Sequence, residues 1–359
     1  MKKVLYMGVD LGKKYAFISY SFNASKEPES FGGDENEPIA VPDIYSNGAL
    51  ADFINDIITN LPEVPDKLSL AITVKELDAG IIERLKEGLY GLNVPEVKLR
   101  FSDYSESYYN YLVNGPKELI AYDSVLFDYD GGDMLEYRCL SGEHKTKPQL
   151  LIPLFEEFKI NTKEKDSDFS NICLKLLNKR IISSVYLVGD GFEGGWMKES
   201  LSILCAGRRV FLGKNLYSKG ACFYAYGDEK PPVQDFAYIG SHSLKANVSV
   251  KVLADNSVEL FTLASAGRPW YEEQNSLEVI VDKDLTVDFW IKKPLSRDTR
   301  IESVELIGLN KKADRTTRLL ISAHPLSDTE LKVIIEDVGF GDMFPSSGLK
   351  WEHTFNLDM

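Results

Sequence analysis

Cysteine and histidine are scarce in this chain, with four of each in 359 residues. Cys139, Cys173, Cys205 and Cys222 stand too far apart to read as a zinc or thiol-redox pair, so free buried thiols in a reducing compartment are the expectation. His144, His242, His324 and His353 are equally scattered, which argues against a metal centre of nitrogen and sulfur ligands. Long apolar runs are missing too. None approaches the ~20 residues of a transmembrane helix. The start, MKKVLYMGVDLG, has an apolar part too brief for a secretion signal, and a charge follows it. Positive charge is in deficit, with 41 Lys and Arg against 55 Asp and Glu and a net charge of −14. That balance argues against nucleic acid and against anionic membranes, both of which reward a basic surface. A soluble cytoplasmic protein is the expectation.

What is present is enough apolar residue, 44% of the chain, for two or three cores. VLYMGVDL and YAFISYSF read as two strands joined by the turn GKK. A loop rich in Gly, Pro and acid follows. Then come a helix over NGALADFINDIITNL with Asn47 placed to cap it, a strand LSLAITV, a helix closed by Gly91, a strand EVKLRFSD and a helix SESYYNYLVN. DSVLFDYDGGDMLEYRCL repeats the opening pattern of strand, carboxylate, glycine turn and strand. The helix SDFSNICLKLLNKRI, the strand SSVYLVGD, the helix GWMKESLSILCAG, the strand RRVFL and the helix LYSKGACFYAYG complete it. This is a duplicated half by pattern. GDEKPPVQD is a linker by composition. Beyond it, eight short strands without a long helix predict an all-β domain.

The order of these elements resembles the actin, sugar kinase and heat-shock ATPase superfamily, and within it the seventy-kilodalton heat-shock chaperones. GVDLGKKYAF (residues 8–17) is similar to the first phosphate hairpin and VLFDYDGGDMLEY to the second. VYLVGDGF resembles the adenosine strand, and VQDFAYIG the interdomain linker of the chaperones. The resemblance implies an α/β actin-like ATPase fold of two ribonuclease-H-like halves over residues 1–226, split at about residue 120. A linker over 227–240 and a β-sandwich over 241–359 follow. The stretches 23–69 and 141–184 are short where the chaperones carry whole upper subdomains, so those subdomains are expected to be small or missing.

The resemblance also implies site residues. Asp10 and Asp128 would face a Mg²⁺, and Asp103 falls where the family has its catalytic Glu. Gly12, Lys13, Lys14, Gly131, Gly132, Gly189 and Asp190 would surround the ATP or ADP. Five departures bear on that site. The threonines of the first tip are Lys13 and Lys14. In the second hairpin a glycine is Asp130 and the threonine is Asp133, and a glycine of the adenosine strand is Asp190. Added carboxylates near a triphosphate cost several kcal/mol unless cations intervene. Either Lys13 or Lys14 contacts phosphate, or it reaches Asp130 or Asp133 and closes an empty cleft. The second reading explains both kinds of substitution at once. The expected function is therefore a chaperone-like or scaffold protein with a degenerate cleft, binding a protein or peptide through its β-domain. The alternative is a Mg·ATP-dependent ATPase using Asp10, Asp103 and Asp128. Trp270, Tyr271 and Trp290 are candidates for an aromatic face, though core packing is the simpler reading. Arg208, Arg209, Lys214 and Lys219 are more simply paired with aspartates than free for a partner.

Overall fold

The structure is a computed structural model that describes residues 3–12, 15–32, 39–44, 46, 48–143, 149–178, 180–229, 236–272, 274–281, 285–294, 296–309 and 315–358. The chain divides into two compact units, residues 1–238 and 239–359.

In the first unit β1 (Val4–Leu11) and β2 (Tyr15–Ser21) form the opening antiparallel hairpin. The short strands β3 (Glu29–Ser30) and β4 (Ile39–Ala40) both pair with β2. After α1 (Ala49–Thr59), β5 (Lys67–Val74) joins the other side of β1 in parallel. After α2 (Ala79–Gly88), β6 (Glu96–Asp103) extends the sheet, again in parallel, and leads directly into α3 (Tyr104–Val113). The sheet runs β3-β2-β1-β5-β6. β1 and β5 are covered on both faces, which is why they read as unbroken apolar runs rather than alternating ones.

The second half repeats this connectivity. β7 (Asp123–Tyr129), β8 (Met134–Glu143) and β9 (Gln149–Lys159) form the antiparallel part. Following α4 (Lys165–Leu177), β10 (Ile182–Val188) pairs in parallel with β7. Following α5 (Glu199–Leu204), β11 (Arg209–Gly213) pairs in parallel with β10. Then comes α6 (Leu216–Tyr226). Read as β9-β8-β7-β10-β11, the second sheet matches the first strand for strand and direction for direction. The expected α/β fold of two like halves is present.

Three details differ from the sequence reading. β9 carries Pro153 and two adjacent glutamates and has no clean alternation, so its strand pattern was not legible. Residues 227–240 are not linker throughout. Gly227–Glu229 is a 3-10 turn, and β12 (Phe236–Tyr238) adds to the second sheet by pairing in parallel with β9. Cys205 is exposed, whereas Cys139, Cys173 and Cys222 are buried free thiols. Asn47 lies outside the described residues, and α1 is preceded by Gly48 with φ 79°.

α6 is the element that brings the halves together. A Cβ on Gly8 of β1 would lie 2.1 Å from the Ser218 carbonyl oxygen, and a Cβ on Gly220 of α6 would lie 1.9 Å from the Ser107 carbonyl oxygen of α3. α6 therefore meets both a strand of the first sheet and the partner helix at backbone distance, which only glycine permits. Ser19 and Ser218 hydroxyls bond at 2.8 Å in the same contact, and the Ser69 hydroxyl donates to the Ala225 carbonyl at 2.6 Å.

Among the described residues the second unit holds eight antiparallel strands in two sheets. β14 (Ser257–Ala264), β13 (Asn247–Ala254), β16 (Thr286–Lys292) and β17 (Arg300–Glu305) form one. β15 (Asn275–Val281), β18 (Thr317–Pro325), β19 (Glu330–Asp337) and β20 (Lys350–Asn356) form the other. Val248, Val250, Phe289 and Ile291 of the first sheet share a core with Leu319, Ile321, Leu331 and Val333 of the second. The β13–β14 turn is Asp255-Asn256 with φ of 48° and 64°, the hand that suits a tight hairpin. Trp270 packs against this core, and Trp290 lies under the Lys251 ammonium at 5.5 Å. Among the described residues, no helix is long and apolar enough to cross a membrane.

The glycine contact gives a stability expectation. Gly220→Ala forces α6 and α3 apart, and the first unit should lose about 1–3 kcal/mol or more, the usual cost of overpacking. Denaturant unfolding that finds Gly220→Ala as stable as the parent would show that the crossing is not tight.

Candidate functional site

The first strands of the two halves each bring a carboxyl to one cavity. Asp10, near the end of β1, and Asp128, near the end of β7, occupy corresponding positions, and both line a cavity of about 410 Å³ within the first unit. Asp10 is 3% exposed. The two helices that close the halves each bring a tyrosine to these carboxyls. Tyr104, first residue of α3, donates its hydroxyl to Asp10 Oδ1 at 2.8 Å, and Tyr217, in the first turn of α6, donates to Asp128 Oδ2 at 2.9 Å. The two rings stack with centroids 3.9 Å apart and planes 11° apart.

The network continues into the second half. Arg138 of β8 donates to the Tyr217 hydroxyl at 3.2 Å and to Glu136 at 2.9 Å, and its guanidinium lies 4.0 Å from Asp128 Oδ2. It also sits 5.5 Å from the Tyr104 ring centre and 4.9 Å from that of Phe155. Lys75, the residue after β5, pairs with Glu136 and, at 3.5 Å, with Glu157 of β9, so one ammonium ties the first half to the second.

The other wall is built from glycine. Gly189 (φ 102°) opens the turn Asp190–Phe192, and a Cβ on it would lie 2.3 Å from the Tyr129 carbonyl oxygen. A Cβ on Gly191 would lie 2.4 Å from the Gly131 nitrogen, so the tip of the second hairpin rests directly on this turn. Asp130 accepts from the Gly132 nitrogen at 3.0 Å and shapes that tip. Asp190 does not stand free: Lys214 bonds it at 2.7 Å and Glu193 at 2.6 Å.

The expected site residues thus part company. Asp10, Gly12, Asp128, Gly189 and Asp190 line the cavity, together with Asp130, while Gly131 and Gly132 form the hairpin tip beside it. Asp103 does not line it. Its carboxylate accepts from the Glu106 nitrogen at 2.8 Å and caps α3. Lys13 and Lys14 lie outside the described residues. Tyr104, Tyr217, Arg138 and Lys75 were not picked out from the sequence. The available signal was a repeated Tyr-Ser in the first turn of both closing helices, Tyr104-Ser105 and Tyr217-Ser218.

A Mg²⁺·nucleotide fits this donor set poorly. The superfamily expectation asks for Asp10 and Asp128 as open anions, yet each carboxyl is capped by a buried phenol. Burial, reinforced by the Asp128 charge, pushes the Asp10 carboxyl up to about 8 despite the Tyr104 hydrogen bond. Burial pushes Asp128 up to about 6, with Arg138 opposing the shift. No group of three or more His, Cys, Asp or Glu with metal-holding geometry occurs among the described residues.

These shifts set a pH dependence. Asp10 keeps its proton in the folded chain where the unfolded chain has lost it, so its contribution is full below about pH 4 and is lost as pH rises through about 8. Asp10→Asn keeps an acceptor for Tyr104 and cannot ionise. Its unfolding midpoint should match the parent near pH 4 and exceed it at pH 8.5. Parallel curves across that range would contradict the assignment.

Comparison with solved structures finds similar chains at low identity. One is an inorganic polyphosphate/ATP-glucomannokinase from Arthrobacter sp. strain KM, with 11% identity, a TM-score of 0.40, and 62% of this chain and 98% of that one covered. Another is the activator of the 2-hydroxyisocaproyl-CoA dehydratase from Clostridium difficile with bound ADPNP, at 8%, 0.36, and 62% and 94% coverage. A third is the ethanolamine utilization protein EutJ from Carboxydothermus hydrogenoformans, at 12%, 0.34, and 61% and 90%. Curated proteins give no match. Residues 243–357 match a family model described as a domain of unknown function (DUF8552). Residues 35–241, more than half of the chain, match the model described as family of unknown function (DUF5716) C-terminal, and the chain belongs to that family.

Proposed function

We propose that the first unit is an actin-like body whose nucleotide cleft is degenerate, and that the chain acts as a chaperone-like or scaffold protein, by binding rather than by catalysis. The observation that carries this reading is the pair of tyrosine caps. The two carboxyls that would hold a metal through water are each bonded to a phenol, and the phenols are stacked on one another where the halves meet. Two further facts support it. Asp103 is committed to α3, and the cavity's two lysines among the described residues, Lys75 and Lys214, are each engaged by two carboxylates of the chain itself. A phosphate would have to compete with those pairs.

The likeness to the seventy-kilodalton chaperones is part of this proposal, supported by the order of a two-half α/β unit followed by an eight-stranded β unit. The protein or peptide contact is assigned to the β unit. Leu253 and Val258 are direct cross-strand partners in the β13–β14 hairpin, and Leu260 lies two residues further along β14 on the same face. All three are more than half exposed, and β14 is an edge strand. Such a row suits a protein contact.

Thermal unfolding with and without millimolar ATP or ADP and Mg²⁺ tests the reading. No change in midpoint is expected, whereas saturation at 100 times a Kd would add about 2.7 kcal/mol. A Mg²⁺-dependent rise that disappears in Asp10→Ala would establish the rival, a Mg·ATP-dependent ATPase, and remove the degenerate cleft. For the β unit, anisotropy of a labelled extended apolar peptide should report binding that Leu260→Lys weakens at least tenfold. Binding unaffected by that change would move the contact elsewhere.

A further inference from the structure

The cavity between the hairpins has a charge pattern that no polyanion explains. Among the described residues six carboxyl groups line it, Asp10, Asp128, Asp130, Glu136, Glu157 and Asp190, against the two lysines already described. Lys75 takes up Glu136 and Glu157, and Lys214 takes up Asp190. That leaves Asp10, Asp128 and Asp130. Asp130 has a neutral donor in the Gly132 nitrogen, and Arg138 stands 4.0 Å from Asp128, beyond hydrogen-bond distance. Asp10 is the decisive group. It is 3% exposed, it lines the cavity, and Tyr104 is its sole donor among the described residues, on Oδ1. Its Oδ2 therefore has no protein donor there. A buried carboxyl with an unused oxygen at the edge of a cavity is a place for a donor to arrive.

The rest of the lining indicates which donor. Tyr15, Phe17, Tyr104 and Tyr217 contribute aromatic surface to the same cavity. Aromatic faces beside carboxylates favour organic cations, whose charge is spread over a partly apolar skeleton. The protein already uses this chemistry on itself. The Arg138 guanidinium lies 5.5 Å and 5.8 Å from the Tyr104 and Tyr217 ring centres, and two ammonium groups are each held between a pair of carboxylates at the cavity wall. A volume of about 410 Å³ admits a small molecule.

We propose that this cavity binds a small linear di- or polyamine, with one ammonium taking the place of the Asp10 proton, which leaves to solvent, and donating to Asp10 Oδ2 and Asp128 while its methylene chain lies against the tyrosine and phenylalanine rings. The proposal rests on the reading that the cleft is not a nucleotide site. It gives the reduced cleft a ligand of the opposite charge to the one the fold resemblance implies.

Isothermal titration of the full chain with spermidine and putrescine tests it, in 150 mM salt to suppress binding to the acidic surface. Saturable binding at one site is expected, weakened at least tenfold in Asp10→Asn, a variant that keeps the Tyr104 acceptor. Glu63→Gln, at an exposed pair with Lys3, should leave it unchanged. No binding would overturn the proposal, and so would binding equally strong in Asp10→Asn, which would mark it as surface attraction. MgCl₂ alone producing the same Asp10-dependent signal would overturn it in favour of an inorganic cation site. Competition by Mg·ATP would reject the degenerate cleft as well. Amine failure with no ATP effect would reject this proposal alone.

Discussion

The structure of the first unit depends on how closely α6 approaches its neighbours. With glycine at positions 8 and 220, the helix backbone lies directly on β1 on one side and on α3 on the other. A helix held a side chain's width further out would not bring Tyr217 against Tyr104. The stack, the two carboxyl caps and the line of bonds through Arg138 all follow from that spacing. The cavity is thus a by-product of a packing decision made by residues that do not line it.

Charge sets the second level of organisation. Ionic groups taken out of water are tolerated when each has a geometrically good partner, and here the partners cross between halves. Lys75 comes from the first sheet while Glu136 and Glu157 come from the second. The same pairs that hold the halves in register occupy the charges a phosphate would need. On the proposed reading, structural cohesion and loss of nucleotide affinity are one property, because an internal counter-ion at high effective concentration outcompetes a dilute external one.

Much of the architecture was legible from the chain. The two hairpins were announced by their apolar strands and glycine turns, the parallel strands by continuous apolar runs, and the β unit by short strands between turn residues. β9 and β12 were not, for physical reasons. β9 mixes Pro153, Glu156 and Glu157 into a strand flanked by neighbours on both sides, and β12 is three residues long, too short for any period. At the site, spacing and resemblance pointed to Asp10 and Asp128, and both line the cavity because the hairpins fix their positions. Asp103 was assigned a chemical role, but the structure places it before the first turn of α3, where its Oδ1 caps the helix and it does not line the cavity. The tyrosines escaped notice because α3 is tyrosine-rich throughout. Tyr108 and Tyr109 are buried for packing, and nothing local separates Tyr104 from them. Only the helix crossing does.

The join between the two units has a mechanical consequence. The last strand before it, β12, is paired along β9, and its Tyr238 ring stacks on Tyr109 of α3 at 4.6 Å. The Tyr109 hydroxyl also donates to the Phe236 carbonyl. β9 carries Glu157, the partner of Lys75, and α3 begins with Tyr104. Tension applied to the chain beyond residue 238 therefore loads a three-residue strand first.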